Sequence, residues 1–241
     1  MHTRRKEFLT GAKDAIPVLL GYLSVAITFG VISVEKGLPL WAPTLISVTN
    51  FTGTGQFVGV DLISVLASYA EIFSALLVIN ARYFLMGISL AQKLPPEIKL
   101  WQRFIIAFGN TDENYAIAMA SEKKVTFAYF LGLIFSSYSG WVGGTIIGSL
   151  LGNIIPESVT SAMGIALYAM YVAIIIPPAI KSKPIVCVIS FAVVISSVIK
   201  FVPEFSALGS GWSVIISGVI ASAFGAVLFP LEVSEDEAVN A

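Results

Sequence analysis

The chain has 241 residues, of which 56% are hydrophobic and only 12% charged, with a mean hydropathy of +0.88; a soluble domain carries roughly 25% charged residues. The net charge of −1 includes no basic cluster large enough to suggest a nucleic-acid partner. Cys187 is the single cysteine and His2 the single histidine, which excludes an intrachain disulfide, a thiolate metal site and histidine chemistry within a membrane.

Apolar runs of roughly 18 residues or more read as membrane spans, and such runs fill the chain: residues 15–34, 41–67, 72–92, 104–120, 126–152, 158–177, 184–200 and 212–230. The expected fold is an all-α polytopic membrane protein. It divides into an N-terminal cytoplasmic segment (1–14), one transmembrane domain (15–230) and an acidic cytoplasmic tail (231–241). Arg4, Arg5, Lys6 and Lys13 precede the first run, but that run is too long for a signal h-region, so it is expected to be the first span.

Lys and Arg accumulate on the cytoplasmic side, and their distribution tests the span count. With eight full crossings and the N-terminus inside, the inside holds Arg4, Arg5, Lys6, Lys13, Lys123, Lys124, Lys181 and Lys183, against Lys36, Lys93, Lys99, Arg103 and Lys200 outside. If runs 41–67 and 104–120 instead enter and leave on one face, Lys93, Lys99 and Arg103 move inside and only Lys36 and Lys200 remain outside. Those two runs are also the ones broken by glycine and polar residues. The expectation is therefore about six full spans plus two broken or re-entrant segments, with seven or eight spans as the alternative, and both termini cytoplasmic. No internal repeat is evident, although an inverted repeat can hide at low similarity.

The first broken run carries Asn50, Phe51, Thr52, Gly53, Thr54, Gly55, Gln56 and Phe57 at its middle. Polar groups at that depth need a protein, ligand or ion partner. The spacing of Gly53, Gly55 and Gly59 departs from a phosphate loop and no βαβ pattern surrounds it, and the Asn50-Phe51-Thr52 sequon lies too deep to be glycosylated. A broken helix is the expected form, with a second half-helix starting near Gln56. Its free N–H groups suit an anion, and unwound carbonyls suit a cation or ammonium.

Arg82, beside Asn80 and Tyr83, lies mid-way along run 72–92, where an arginine costs about 2.5–3.5 kcal/mol on insertion scales. Its expected partner is Asp112 or Glu113 in the island Asn110-Thr111-Asp112-Glu113-Asn114, itself at the centre of a run. The three islands are expected to meet at one central site. Its binding residues would be Asn50, Thr52, Gly53, Gly55, Gln56, Phe57, Asn80, Arg82, Tyr83 and Thr111. Asp112 and Glu113 are the proton-coupling candidates, and Asp61, about two turns past Gly55, is a second-rank proton or cation site on the same cavity. Glu71 reads as a first-turn helix charge. In run 126–152 Gly140, Gly144, Gly148 and Gly152 recur every fourth residue, which suits either packing within the chain or docking of a separate membrane subunit. A small row, Ser217, Ala221 and Gly225, repeats the pattern in the last run.

A small zwitterion fits this inventory, and the absence of a nucleotide motif leaves an ion gradient or passive flow as the energy source. The ordered motifs resemble the AzlC family, the larger subunits of bacterial branched-chain amino acid exporters. The matching residues are Pro17 with Phe29-Gly30; Phe51, Gly53 and Gln56-Phe57; Asn80, Arg82-Tyr83, Leu85, Gly87 and Ser89-Leu90; Thr111-Asp112-Glu113; and Gly211-Trp212. The resemblance covers residues 15–230 and implies proton-driven export of branched-chain amino acids with a small AzlD-like membrane subunit, in the bacterial cytoplasmic membrane. Two positions depart from the family pattern: Tyr83 stands where a histidine is usual, and Ala166 within Gly164-Ile165-Ala166-Leu167 where an acidic residue is usual. A secondary amino acid transporter is the first expectation and a channel or passive pore the second. No enzymatic motif, cofactor or metal is expected.

Overall fold

The computed structural model describes residues 2–121, 125–152, 172, 176, 179–180, 182–202 and 210–230. All secondary structure among these residues is helical: α1 (His2–Asp14), α2 (Ile16–Glu35), α3 (Trp41–Thr49), α4 (Thr54–Ser64), α5 (Tyr69–Lys93), α6 (Leu100–Phe108), α7 (Asp112–Ala120), α8 (Phe127–Leu151), α9 (Lys183–Phe201) and α10 (Ser210–Leu228). Four helices, α2, α5, α8 and α9, are long and apolar enough to cross a membrane, and Ile215–Leu228 is a shorter apolar stretch. Run 158–177 lies almost wholly outside the described residues, as do Lys123, Lys124, Ala166 and the acidic tail. The chain forms two compact units, residues 1–66 with 79–170 and residues 67–78 with 171–241.

The first unit is organised on α8. α1 leads into α2 with little interruption, Leu19 N–H still reaching the Ala15 carbonyl at 2.9 Å. This α1–α2 rod lies in the groove that the glycines of α8 leave open. Gly132 meets the backbone of Phe8 and Ala12, Gly140 that of Leu19, Gly144 that of Leu23, Gly148 that of Ile27, and Gly152 the Val34 side chain. A methyl group on Gly140 or Gly144 would sit 2.6 Å from a carbonyl oxygen of α2. The ladder is thus filled by the chain's own helix, which settles the two uses considered for it in favour of internal packing. Contacts that advance together along both rods make α1–α2 and α8 parallel, so the chain between them must return once across the unit.

That return is α5. The two short-helix pairs do not cross. α3 descends from the far end, away from α1, with Ser47 Oγ 2.8 Å from Thr145 Oγ1; α4 climbs back, Phe57 against Phe29 at 5.1 Å and Asp61 paired with Lys36 at 3.2 Å. Lys36 caps the far end of α2, so the hairpin leaves on the face it entered. α6 and α7 mirror it from the α1 end. Trp101 of α6 packs on Phe127 at 5.4 Å, and the Lys93 ammonium donates to the Met119 carbonyl at 2.7 Å as α7 returns. Both turns lie beside residues 134–141 of α8. That stretch lies about 10–20 Å along a helix about 37 Å long at 1.5 Å per residue. The two broken runs are therefore re-entrant hairpins from opposite ends, as their glycine and charge patterns predict.

In the second unit α9 and α10 pack side by side. Phe191 stacks on Phe224 at 4.1 Å, and Gly225 allows Val188 to within 2.8 Å of where a methyl group would stand. Ala221 of the small-residue row is buried.

Candidate functional site

The site forms where the two hairpin turns meet. In the first, Asn50 leaves α3 in extended conformation and Gly53 takes φ +54° with ψ −94°, a region that L side chains rarely adopt. The helix breaks there because glycine allows it, and α4 restarts at Thr54, two residues before the expected Gln56. Gln56, buried to 1% exposure, clasps the turn: its Nε2 donates to the Asn50 carbonyl, while its Oε1 accepts from Trp141 Nε1 at 2.9 Å and Ser47 Oγ at 3.3 Å. The second turn uses the same device. Asn114, fully buried, donates through Nδ2 to the Gly109 carbonyl at 2.9 Å and to Ser137 Oγ at 2.8 Å, while Thr111 Oγ1 accepts from the Asn114 N–H at 3.4 Å and caps α7. Each turn is thus tied to α8 by a buried amide.

Between the turns stands Arg82 of α5. Its guanidinium lies 3.0 Å from Asp112 and donates to the Tyr83 hydroxyl at 3.2 Å, and that hydroxyl donates onward to the Thr52 carbonyl at 3.0 Å. One helix thereby ties both turns together. Of the two acids expected as partners for Arg82, Asp112 is the one that pairs with it, while Glu113 turns to α2 and accepts from the Tyr22 hydroxyl. Tyr22 packs edge-on against Phe51 and Trp141 at 5.8 and 5.3 Å. Phe51 also meets Tyr138 at 5.3 Å and Phe108 of the opposite hairpin at 6.3 Å, so apolar rings seal the hairpins together beside the polar centre.

Among the described residues, five buried side-chain atoms lack a hydrogen-bond partner: Thr52 Oγ1, Asn80 Oδ1, Arg82 Nε, Asn110 Oδ1 and Asn114 Oδ1. All come from the three sequence islands. Thr52 Oγ1 and Asn80 Oδ1 converge on Gly55, where an added methyl would stand 2.8 and 3.0 Å from them. Unpaired buried polar atoms are costly, and those of the described residues are concentrated at this centre. No side chain caps α4, so its first N–H groups and its positive dipole end also face the turn. The side chains of Arg82 and Asp112 keep 30% and 33% exposure, enough to be reached.

Of the sequence-predicted residues, Asn50, Thr52, Gly53, Gly55, Asn80, Arg82, Tyr83, Thr111, Asp112 and Glu113 gather at this centre. Gln56 and Phe57 belong to its scaffold, since both are buried against other side chains. Asp61 is a correction. It does not face the central cavity but lies at the far end, half-exposed and paired with Lys36, because the seven residues from Thr54 carry α4 back out by about 10 Å. Asn114 belongs to the 110–114 island but not to its expected binding residues, while Tyr22 and Trp141 carry no signal in the sequence, since a tyrosine or tryptophan in an apolar run does not separate a site residue from packing.

Fold and site together define a polytopic membrane protein with a polar centre held between two opposed re-entrant hairpins. Comparison with known proteins places it further: the family model described as AzlC protein matches residues 17–155, which contain both hairpins and every residue of the site, and the chain belongs to that family. An uncharacterized membrane protein of Archaeoglobus fulgidus is 34% identical over 73% of this chain and 79% of its own length. The inner membrane protein YgaZ of Escherichia coli is 29% identical over 75% of this chain and 76% of its own. The branched-chain amino acid transport protein AzlC of Bacillus subtilis is 26% identical over 70% of this chain and 66% of its own. No solved structure matches.

Proposed function

We propose that this protein is a secondary transporter exporting small amino acids, branched-chain ones foremost, coupled to protons and working with a small membrane subunit of the AzlD type. The observation that carries this reading is the set of unmatched groups at the centre. Arg82 Nε is a donor without an acceptor and the N-terminus of α4 has no side-chain cap; Thr52 Oγ1 of the first turn and Asn80 Oδ1 of α5, both close to Gly55, are oxygens without a partner. A carboxylate suits the first set and an ammonium, with Asp112, suits the second. A zwitterion satisfies both at once without adding net charge. Similarity to the Bacillus subtilis protein, whose name states branched-chain amino acid transport, supports the substrate class.

Orientation follows from charge. Among the described residues of the first unit, Arg4, Arg5, Lys6, Lys13, Lys93, Lys99 and Arg103 lie toward the α1 end and Lys36 at the far end, so the α1 end is assigned to the cytoplasm of a bacterial inner membrane. The small subunit docks elsewhere than on the α8 glycine ladder, which α2 already fills. The decisive experiment is flux into proteoliposomes. Saturable counterflow of labelled leucine, abolished by Arg82→Ala, is expected; non-saturating ion flux would identify a pore instead.

A further inference from the structure

We propose that Glu113, and not its neighbour Asp112, carries the coupled proton, with the Tyr22 hydroxyl as its positioning partner. This rests on the proton-coupled reading above and assigns a division of labour within it. The two acids occupy successive positions in the first turn of α7, yet face opposite kinds of partner.

Asp112 is paired with a guanidinium, which has only donors and does not lose its proton. Protonating Asp112 would strip a half-buried Arg82 of its counter-charge, and breaking such a pair from one side is strongly unfavourable. Asp112 therefore stays ionised through the cycle. Glu113 is paired with a phenol, which both donates and accepts. With Glu113 ionised, Tyr22 donates to it. When a hydronium ion gives one proton to Glu113, the new carboxyl O–H donates to the Tyr22 oxygen. The Tyr22 hydrogen then rotates away from Glu113. The Tyr22–Glu113 hydrogen bond is kept in both states with its direction reversed, no other proton moves, and release reverses the steps.

The charge count agrees. The titratable or charged groups facing Glu113 are Tyr22 from α2, Arg82 and Tyr83 from α5, and Asp112 from its own helix. Arg82 and Asp112 cancel, so Glu113 holds the one uncompensated charge at the centre. Protonation brings the site to zero, the same charge a zwitterionic substrate carries, and the proton becomes the only net charge translocated.

The test uses the full-length protein, with its small subunit where that co-purifies, in two assays of leucine: counterflow without a gradient, and accumulation driven by a pH gradient. Glu113→Gln is expected to keep counterflow, lose accumulation and flatten the pH dependence of counterflow. Asp112→Asn is expected to lose both. Tyr22→Phe is expected to keep counterflow with a displaced pH profile, which a merely structural tyrosine would not produce. Glu113→Gln that accumulates leucine like the wild type overturns the assignment, as does Asp112→Asn that loses accumulation alone. If Glu113→Gln is inactive in both assays, infrared difference spectra decide without substrate. A protonated-carboxyl band that titrates in wild type and Asp112→Asn but is missing in Glu113→Gln supports the proposal, and a band that persists in Glu113→Gln refutes it. Wild-type protein that neither exchanges nor accumulates any amino acid refutes the transport reading itself, and the proton assignment with it.

Discussion

Gly143 and Gly144 are adjacent on α8, and the structure requires opposite responses from them. A methyl group on Gly143 would meet nothing within 4 Å, whereas on Gly144 it would stand 2.6 Å from the Leu23 carbonyl oxygen and 2.8 Å from the Ala26 methyl. Both approaches are well inside van der Waals contact, so α2 must move away by several tenths of an ångström along its main contact. Overpacking of this kind costs about 1–3 kcal/mol, while the glycine-to-alanine change itself favours the helix by up to about 1 kcal/mol. The net expectation for Gly144→Ala is a loss of about 0–2 kcal/mol. At about 2–4 °C per kcal/mol for a chain of this size, thermal unfolding in detergent should show Gly143→Ala neutral or raised and Gly144→Ala lowered. The measured difference between the neighbours should be at least a few degrees, since helix propensity is common to both. Equal melting temperatures would refute the close α2–α8 seam. A Gly144→Ala protein of unchanged stability that fails to hold a small membrane subunit would show that the ladder is an external docking face after all.

Gly53→Ala tests the first break: the Trp141 ring is 3.6 Å from an added methyl, so space is not limiting, and the cost of about 1–3 kcal/mol comes from the positive φ alone, readable as lower thermal stability. Trp141→Phe removes the donor at 2.9 Å from Gln56 Oε1, which keeps Ser47 Oγ at 3.3 Å, and should cost about 0.5–1.5 kcal/mol for the lost hydrogen bond, readable as lower thermal stability. Asp61→Asn breaks an exposed pair worth about 0–1 kcal/mol and should leave leucine counterflow unchanged; loss of counterflow would return Asp61 to the site. Replacing Arg4, Arg5, Lys6 and Lys13 together by Gln should weaken the orientation signal, read by reporter fusions at the N-terminus, and unchanged topology would shift that signal to Lys93, Lys99 and Arg103.

The broken helices and the Arg82–Asp112 pair are legible in the sequence for one reason: hydrocarbon supplies no hydrogen bonds, so each polar island at mid-run announces a partner. Counting lysines and arginines then distinguishes re-entry from crossing before any contact is known. What stays hidden is which polar residue is spent on scaffold. Gln56 and Asn114 look like ligands for a guest, yet each bonds back to the carbonyl of its own turn. Glu113 and Asp112 look equivalent, and only the position of Tyr22, ninety-one residues away from Glu113, separates them. Asp61 misleads because its distance along the chain from Gly55 is short, while direction along α4 depends on where the hairpin exits.

The opposed hairpins also explain how a mostly apolar chain can afford such a centre. A straight helix satisfies its own backbone and offers a guest only side chains, whereas a broken one presents free N–H groups at its restart. α4 and α7 both restart at mid-depth, but they are not equivalent. The α7 terminus is already answered by Thr111, Asp112 and Glu113, whereas no side chain answers that of α4. The positive end left open thus lies on the hairpin from the far end, and the negative charges lie on the hairpin from the α1 end, with Arg82 between them. A guest carboxylate and a guest ammonium would therefore bridge the two hairpins rather than bind within one. The anchors that hold each turn to α8 are the buried amides, Gln56 of α4 through Trp141 and Asn114 of α7 through Ser137.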